Sequence, residues 1–146
     1  MSSPEVITIG YEGRTVDDVI AALVVADVKV VVDVRLTPRS RKAGLSKHCL
    51  VAQLDDVIID YLHLPQLGNP RDNRAGFRRG DTDAIVRYRA VLATTEGRVA
   101  IDELLRLTRQ LRVALMCFER EATECHRSAV AEAVVKAGGA VEVVHL

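Results

Sequence analysis

The sequence predicts a single α/β domain with a mainly parallel, five-stranded sheet flanked by helices. Three observations carry this. Five short apolar runs alternate with amphipathic stretches, a pattern that right-handed crossovers convert into parallel neighbours. The runs from Lys29 to Val34 and from Val113 to Phe118 lack the polar alternation of a half-exposed strand, so both suit positions covered on two faces. A length of 146 residues is that of one domain and allows a proper core.

Taken in order, Val6 to Ile9 reads as the first strand and Gly10 to Gly13 as the turn after it. Thr15 is positioned to cap a helix reaching about Asp27, with Val16, Val19, Ile20, Leu23 and Val24 on one face and Asp17 and Asp18 in the first turn. Lys29 to Val34 is the second strand. Ser46 is expected to cap a helix through about Leu54, followed by a third strand over Val57 to Leu62. His63 to Gly80 reads as a long loop with a turn at Leu67 to Pro70. Two helices follow, one opened by Asp81 and one from Val99 to Gln110, separated at Glu96-Gly97. After the fourth strand, Val113 to Phe118, Thr123 is the expected cap of a helix that ends at Gly138 and Gly139. That start would put Cys125 in the first helical turn. Ala140 to Leu146 supplies the last strand.

Composition removes several classes. Lys plus Arg and Asp plus Glu number 20 each, so no whole-protein field draws nucleic acid or an anionic membrane. Aromatic residues make up only 3%, which disfavours base-stacking platforms. No apolar run approaches the ~20 residues of a membrane span, so no membrane partner is expected. Cys49, Cys117 and Cys125 form no even disulfide framework, and no signal peptide opens the chain. A reducing, cytoplasmic setting is therefore expected. Oligomeric state has no sequence signal.

Ligands of a parallel sheet belong at the carboxyl ends of its strands. With strand order 3-2-1-4-5 the reversal lies between the first and fourth strands. Gly10 to Arg14, Asp33 to Arg41 and Glu119 to Arg127 then converge on one crevice. The second of these opens the most basic loop of the chain, with no acidic residue between Val34 and Leu54.

Two chemistries are open. Arg35, Arg39, Arg41 and Arg127 suit phosphate recognition, because guanidinium forks match phosphate oxygens and a helix start offers free N–H groups. On this reading the partner is a phosphorylated small molecule, such as a nucleotide, or a nucleic acid. Gly10, Tyr11, Arg35, Ser40, Arg41, His126 and Arg127 are the candidate ligand-binding residues. Alternatively Cys125, activated by a helix start beside His126 and Arg127, is the nucleophile of a thiol-dependent enzyme. This ranks second because the Cys-centred anion loop of such enzymes is missing. An interaction module with a vestigial site is a third, blander reading. Asp33 and Glu119 are candidate acid and base, or else ion-pair partners that orient Arg35 and Arg127. Cys117 and Cys49 are expected to be buried packing residues. Cys117, Glu119, Cys125 and His126 match no paired C-x-x-C spacing, so no metal ligand is assigned and no cofactor is named. His63 and His145 are expected to be structural.

TIGYEGR (Thr8 to Arg14), DVRLTPRSR (Asp33 to Arg41), LGNP (Leu67 to Pro70) and MCFEREATECHR (Met116 to Arg127) resemble, in this order, the signature blocks of the domain of unknown function 488 family. The resemblance covers nearly the whole chain and implies a Rossmann-like fold. Its polar positions fall here on Gly10, Asp33, Arg35, Pro38, Ser40, Arg41, Gly68, Cys117, Glu119, Cys125, His126 and Arg127. Ala122, Asn69 and Leu45 depart from it, where proline, a second glycine and an aromatic residue are usual.

Overall fold

The computed structural model describes residues 4–138 and 141–146, so Gly139 and Ala140, expected at a helix end and a strand start, lie outside the described residues. Five strands form one parallel sheet: β1 (Glu5–Gly10), β2 (Val30–Asp33), β3 (Asp60–His63), β4 (Val113–Cys117) and β5 (Glu142–His145). Six helices accompany them: α1 (Val16–Val25), α2 (Lys47–Asp56), α3 (Arg74–Arg79), α4 (Thr82–Leu92), α5 (Thr95–Gln110) and α6 (Arg127–Gly138). No helix among the described residues is long and apolar enough to cross a membrane.

β4 shows why the apolar runs lack alternation. Val113, Leu115 and Cys117 point into one core, with Val30, Val32, Leu104, Val130 and Val134. Ala114 and Met116 point into the other, with Ile7, Ile9, Val31, Leu23, Leu50 and Leu54. The strand keeps its period of two but buries both phases. α1 and α2 thus cover one face, and α4, α5 and α6 the other.

The strand order is β3-β2-β4-β1-β5, which corrects the expected 3-2-1-4-5. β4 sits between β2 and β1, and the connection from β1 to β2 passes over it. Hydropathy could not separate the two orders, because β1 and β4 are equally buried and both arrangements obey the crossover rule. The correction moves the reversal point. β2 leads away to β3 on the face of α2, whereas β4 leads the opposite way to β5 on the face of α6. The gap between diverging connections therefore lies at the carboxyl ends of β2 and β4.

Local differences have identifiable causes. Thr15 caps α1 as expected, in a reciprocal capping box with Asp18. Ser46 precedes α2 but makes no cap bond, since its hydroxyl bonds the backbone of Ser40 instead. β3 begins at Asp60, because Asp55 to Ile59 close the turn after α2 and Ile58 adopts a φ of 60°. The expected loop from His63 to Gly80 folds into two 3-10 turns and α3. It is pinned by the Tyr88 hydroxyl, which donates to the Leu67 carbonyl at 2.6 Å, and by buried Asn73, which donates to Asn69 and to the Ala84 carbonyl. The break between α4 and α5 lies at Ala93-Thr94, since the Thr94 hydroxyl caps Gly97 and leaves Glu96-Gly97 in the first turn.

Candidate functional site

The exit of β2 is built on one carboxylate. Asp33 is wholly buried and accepts four hydrogen bonds: from the Arg35 backbone N–H (3.1 Å), Nε (2.9 Å) and Nη2 (2.7 Å), and from the Tyr61 hydroxyl (2.6 Å). Those bonds use the acceptor capacity of a carboxylate. Arg35 Nη1 donates onward to the Leu45 carbonyl at 2.7 Å and the Tyr11 hydroxyl at 3.3 Å. Burial opposes the guanidinium's charge, but the Asp33 carboxylate outweighs it and raises the pKa of Arg35. Asp33 and Arg35 are therefore partners that hold the basic loop to the sheet. These bonds fill the acceptor sites of Asp33 and use four of the five side-chain N–H donors of Arg35. His63 Nε2 donates to the Arg35 carbonyl and His145 bonds Thr8, so both histidines are structural.

At the end of β1, Gly10 permits a close approach. A Cβ there would overlap the Glu119 carbonyl and crowd the Arg127 guanidinium, so no other residue fits without displacing the loop after β4. Tyr11 follows, buried, with Phe118 edge-on at 5.4 Å and the Arg35 guanidinium 5.5 Å from its ring centre. Gly68 acts similarly on the third wall, where a Cβ would collide with the Leu36 backbone.

The loop after β4 departs most from expectation. Ala122–Glu124 form a 3-10 turn, Cys125 is extended (φ −116°, ψ 143°), and α6 starts only at Arg127. Thr123 thus caps nothing and Cys125 lies ahead of the helix, because the turn spends the residues that were expected to open it. Cys125 is 1% exposed and packs in the core. Its Sγ is at disulfide-bonding distance from that of Cys117, with Cα atoms 7.2 Å apart, and lies 3.7 Å from His126 Nδ1. His126 Nε2 is 2.7 Å from the Val34 carbonyl, which can only accept, so the proton sits on Nε2 and Nδ1 faces the sulfur with its lone pair. Burial pushes the His126 pKa down to about 4 and keeps the ring neutral. Arg127 is fully buried. It donates to the Cys117 sulfur at 3.1 Å and to the Glu119 and Arg120 carbonyls, while its Nε has no partner among the described residues. Burial pushes its pKa down to about 10. Glu119 makes no ion pair with it. Burial instead raises the Glu119 pKa, and its Oε2 lies 3.8 Å from the Cys117 sulfur. Cys49, expected to be packed, is exposed.

These three exits surround a cavity of about 340 Å³. Cys117, His126, Tyr11, Phe118, Glu119 and Glu124 line it. Arg39, Ser40, Arg41 and Lys42 come from the basic loop and Arg74 from the start of α3. Ser40 shapes that loop, with its hydroxyl accepting the Lys42 N–H and its backbone bonded to Ser46. Among the described residues, Arg39, Arg41, Lys42 and Arg74 form no ion pair.

Of the expected site residues, Tyr11, Arg35, Ser40, Arg41, Glu119 and His126 line this cavity. Gly10, Asp33, Cys125 and Arg127 stand behind its walls. Thr37, Lys42, Asn69, Arg74, Phe118 and Glu124, which also line the cavity, were not among the expected site residues. The only signal for Arg74 was the arginine-rich stretch from Arg71 to Arg79, opposed by Asp72 alone. No curated protein and no solved structure matches the chain. The family described as "Domain of unknown function DUF488" matches residues 15–134.

Proposed function

Because the chain belongs to the DUF488 family, whose description assigns no chemistry, we propose a function from the crevice itself: it binds a phosphate-bearing ligand, a nucleotide or a nucleic-acid end, at the carboxyl ends of β2 and β4. The carrying observation is the set of four cations, Arg39, Arg41, Lys42 and Arg74, that line the cavity without ion pairs among the described residues. Arg39, Arg41 and Arg74 are exposed and Lys42 half-buried, and a lone solvated arginine contributes almost nothing, but several cations lining one cavity can each give a charge-assisted hydrogen bond of roughly 1.5–3 kcal/mol. Two or three of these hold a phosphate group against its desolvation cost. Arg35 and Arg127 serve this site indirectly, as frame. Tyr11 and Phe118 offer an apolar wall beside the cations. If the ligand is processed as well as held, Glu119 is the acid–base candidate, since burial favours its protonated form.

A second reading, a thiol-dependent enzyme acting through Cys125, is favoured by one contact, the His126 Nδ1 lone pair 3.7 Å from the sulfur. The burial of that sulfur weighs against it. Calorimetric titration of a mononucleotide and a short oligonucleotide at two ionic strengths tests the first reading. Arg41→Ala and Arg74→Ala should each weaken binding roughly tenfold, the loss of one charge-assisted bond. A steep salt dependence identifies nucleic acid, one factor for each phosphate contacted. No binding of either ligand, or binding indifferent to both substitutions, overturns the proposal.

A further inference from the structure

We propose that Cys117, Cys125 and His126 form a two-thiolate, one-imidazole site for a zinc-type divalent cation in the wall of the cavity, with one coordination position open to it. The inference does not depend on the anion reading, because its residues lie beneath the basic loop and its chemistry is that of soft ligands.

Four features support it. The three ligand atoms lie within 4.8 Å of one another and all three residues are buried, in a cluster drawn from the end of β4 and the approach to α6. The imidazole is already turned as an acceptor, and reduction of the Cys117–Cys125 contact frees both sulfurs. His126 directs Nδ1 inward because Nε2–H is fixed on the Val34 carbonyl, the outer-sphere bond that metal-binding imidazoles use to set tautomer and orientation. Both sulfurs receive N–H donors, Cys117 from the Arg127 guanidinium at 3.1 Å and Cys125 from the Arg127 backbone at 3.5 Å. Such donors favour the thiolates that a metal requires.

The backbone spacing points the same way. Disulfides usually hold Cα atoms roughly 4.4–6.8 Å apart, whereas Cys117 and Cys125 stand at 7.2 Å. A tetrahedral ion with metal–sulfur bonds of about 2.3 Å holds its sulfurs about 3.8 Å apart, a span this backbone accommodates by side-chain rotation. Two sulfurs and one nitrogen select zinc over magnesium or calcium. Three protein ligands with an open fourth position make a reactive rather than a purely structural centre. Cys117 and His126 line the cavity, so the open position faces it, and Glu119, 3.8 Å from the Cys117 sulfur, lies beside it. An oxygen of water or of a bound anion would occupy it.

The test is a titration of the reduced full-length chain with Co²⁺ and then Zn²⁺, followed by absorption. One Co²⁺ per chain is expected, with thiolate-to-cobalt charge-transfer bands that Zn²⁺ abolishes by displacement. Cys117→Ser, Cys125→Ser and His126→Ala should each lower affinity by more than the roughly 10–100-fold that loss of an outer-sphere partner costs. Cys49→Ser should bind as the parent does. If the ligand variants fail to fold by circular dichroism, X-ray absorption of the zinc-loaded parent decides, with a mixed sulfur and nitrogen shell expected. Absence of stoichiometric binding, binding without thiolate bands, a shell of oxygen and nitrogen alone, or a reduced protein that takes no cobalt yet oxidises to a Cys117–Cys125 disulfide would each overturn the proposal.

Discussion

The Nη1 of Arg127 lies 3.1 Å from the Sγ of Cys117, and among the described residues no ion pair accompanies this contact although the guanidinium is fully buried. A buried cation without a carboxylate needs negative charge from elsewhere. The backbone carbonyls of Glu119 and Arg120 supply part of it. Among the described residues, Arg39, Arg41, Lys42 and Arg74 around the same cavity likewise form no ion pair.

Asp33→Asn should be among the most damaging single changes. Removing one partner of a buried pair leaves the other uncompensated and typically costs about 3–5 kcal/mol, here with Arg35 stranded at 5% exposure. Glu119→Gln should cost far less, because burial already disfavours its charge. Urea denaturation of both variants checks the contrast. Equal destabilisation would show that Asp33 is not the anchor described.

Tyr61 gives a prediction in pH. Burial, and then its hydrogen bond to Asp33, raise its pKa above the ordinary 10.0. In the window above pH 10 the unfolded chain releases this proton and the folded chain keeps it, so the bond's contribution to stability is complete below that pH and falls as pH rises through the window. Denaturation from pH 8 to 11 should show a decline that Tyr61→Phe makes shallower. Parallel curves for the two proteins would refute the coupling.

Gly10→Ala should destabilise strongly despite adding only a methyl group. That Cβ meets backbone, the Glu119 carbonyl, which cannot rotate aside, so the cost should exceed the 1–3 kcal/mol usual for overpacking. Gly80→Ala, with a φ of +79° but open space, should lose only about 1 kcal/mol. Thermal unfolding of the pair separates close approach from backbone preference, and comparable losses would contradict the packing shown.

Thiol reactivity should follow exposure and not the expected helix start. Cys49 is exposed, whereas Cys117 and Cys125 are each 1% exposed. Timed alkylation with mass-spectrometric readout should modify Cys49 first, the others only on local opening. Faster labelling of Cys125 would revive the thiol-enzyme reading.

The fold was legible where burial alone decides it. The apolar runs of β2 and β4, the Thr15 cap and the alternation of strands and helices are one-dimensional signals, and each leads to the element found. Strand order was not, because β1 and β4 carry the same two-sided burial and the skip over β4 leaves no local trace. The start of α6 was misplaced for a similar reason. Ala122, Thr123 and Glu124 suit a first helical turn as well as a 3-10 turn, and what accompanies the latter is a set of side-chain bonds that hydropathy does not show, from Arg127 back to the Glu119 and Arg120 carbonyls. The site was half legible. The basic loop announces itself by lacking acids, but which arginines are free depends on Asp33, Leu45 and Tyr11, partners that sequence spacing does not assign to Arg35.

Crystals grown with inorganic pyrophosphate test the central claim most directly. The account predicts the anion in the cavity between the ends of β2 and β4, within hydrogen-bond distance of at least two of Arg39, Arg41, Lys42 and Arg74, with the Asp33–Arg35 pair undisturbed. Pyrophosphate bound only elsewhere, or a cavity without it at concentrations that saturate binding in solution, would contradict the account.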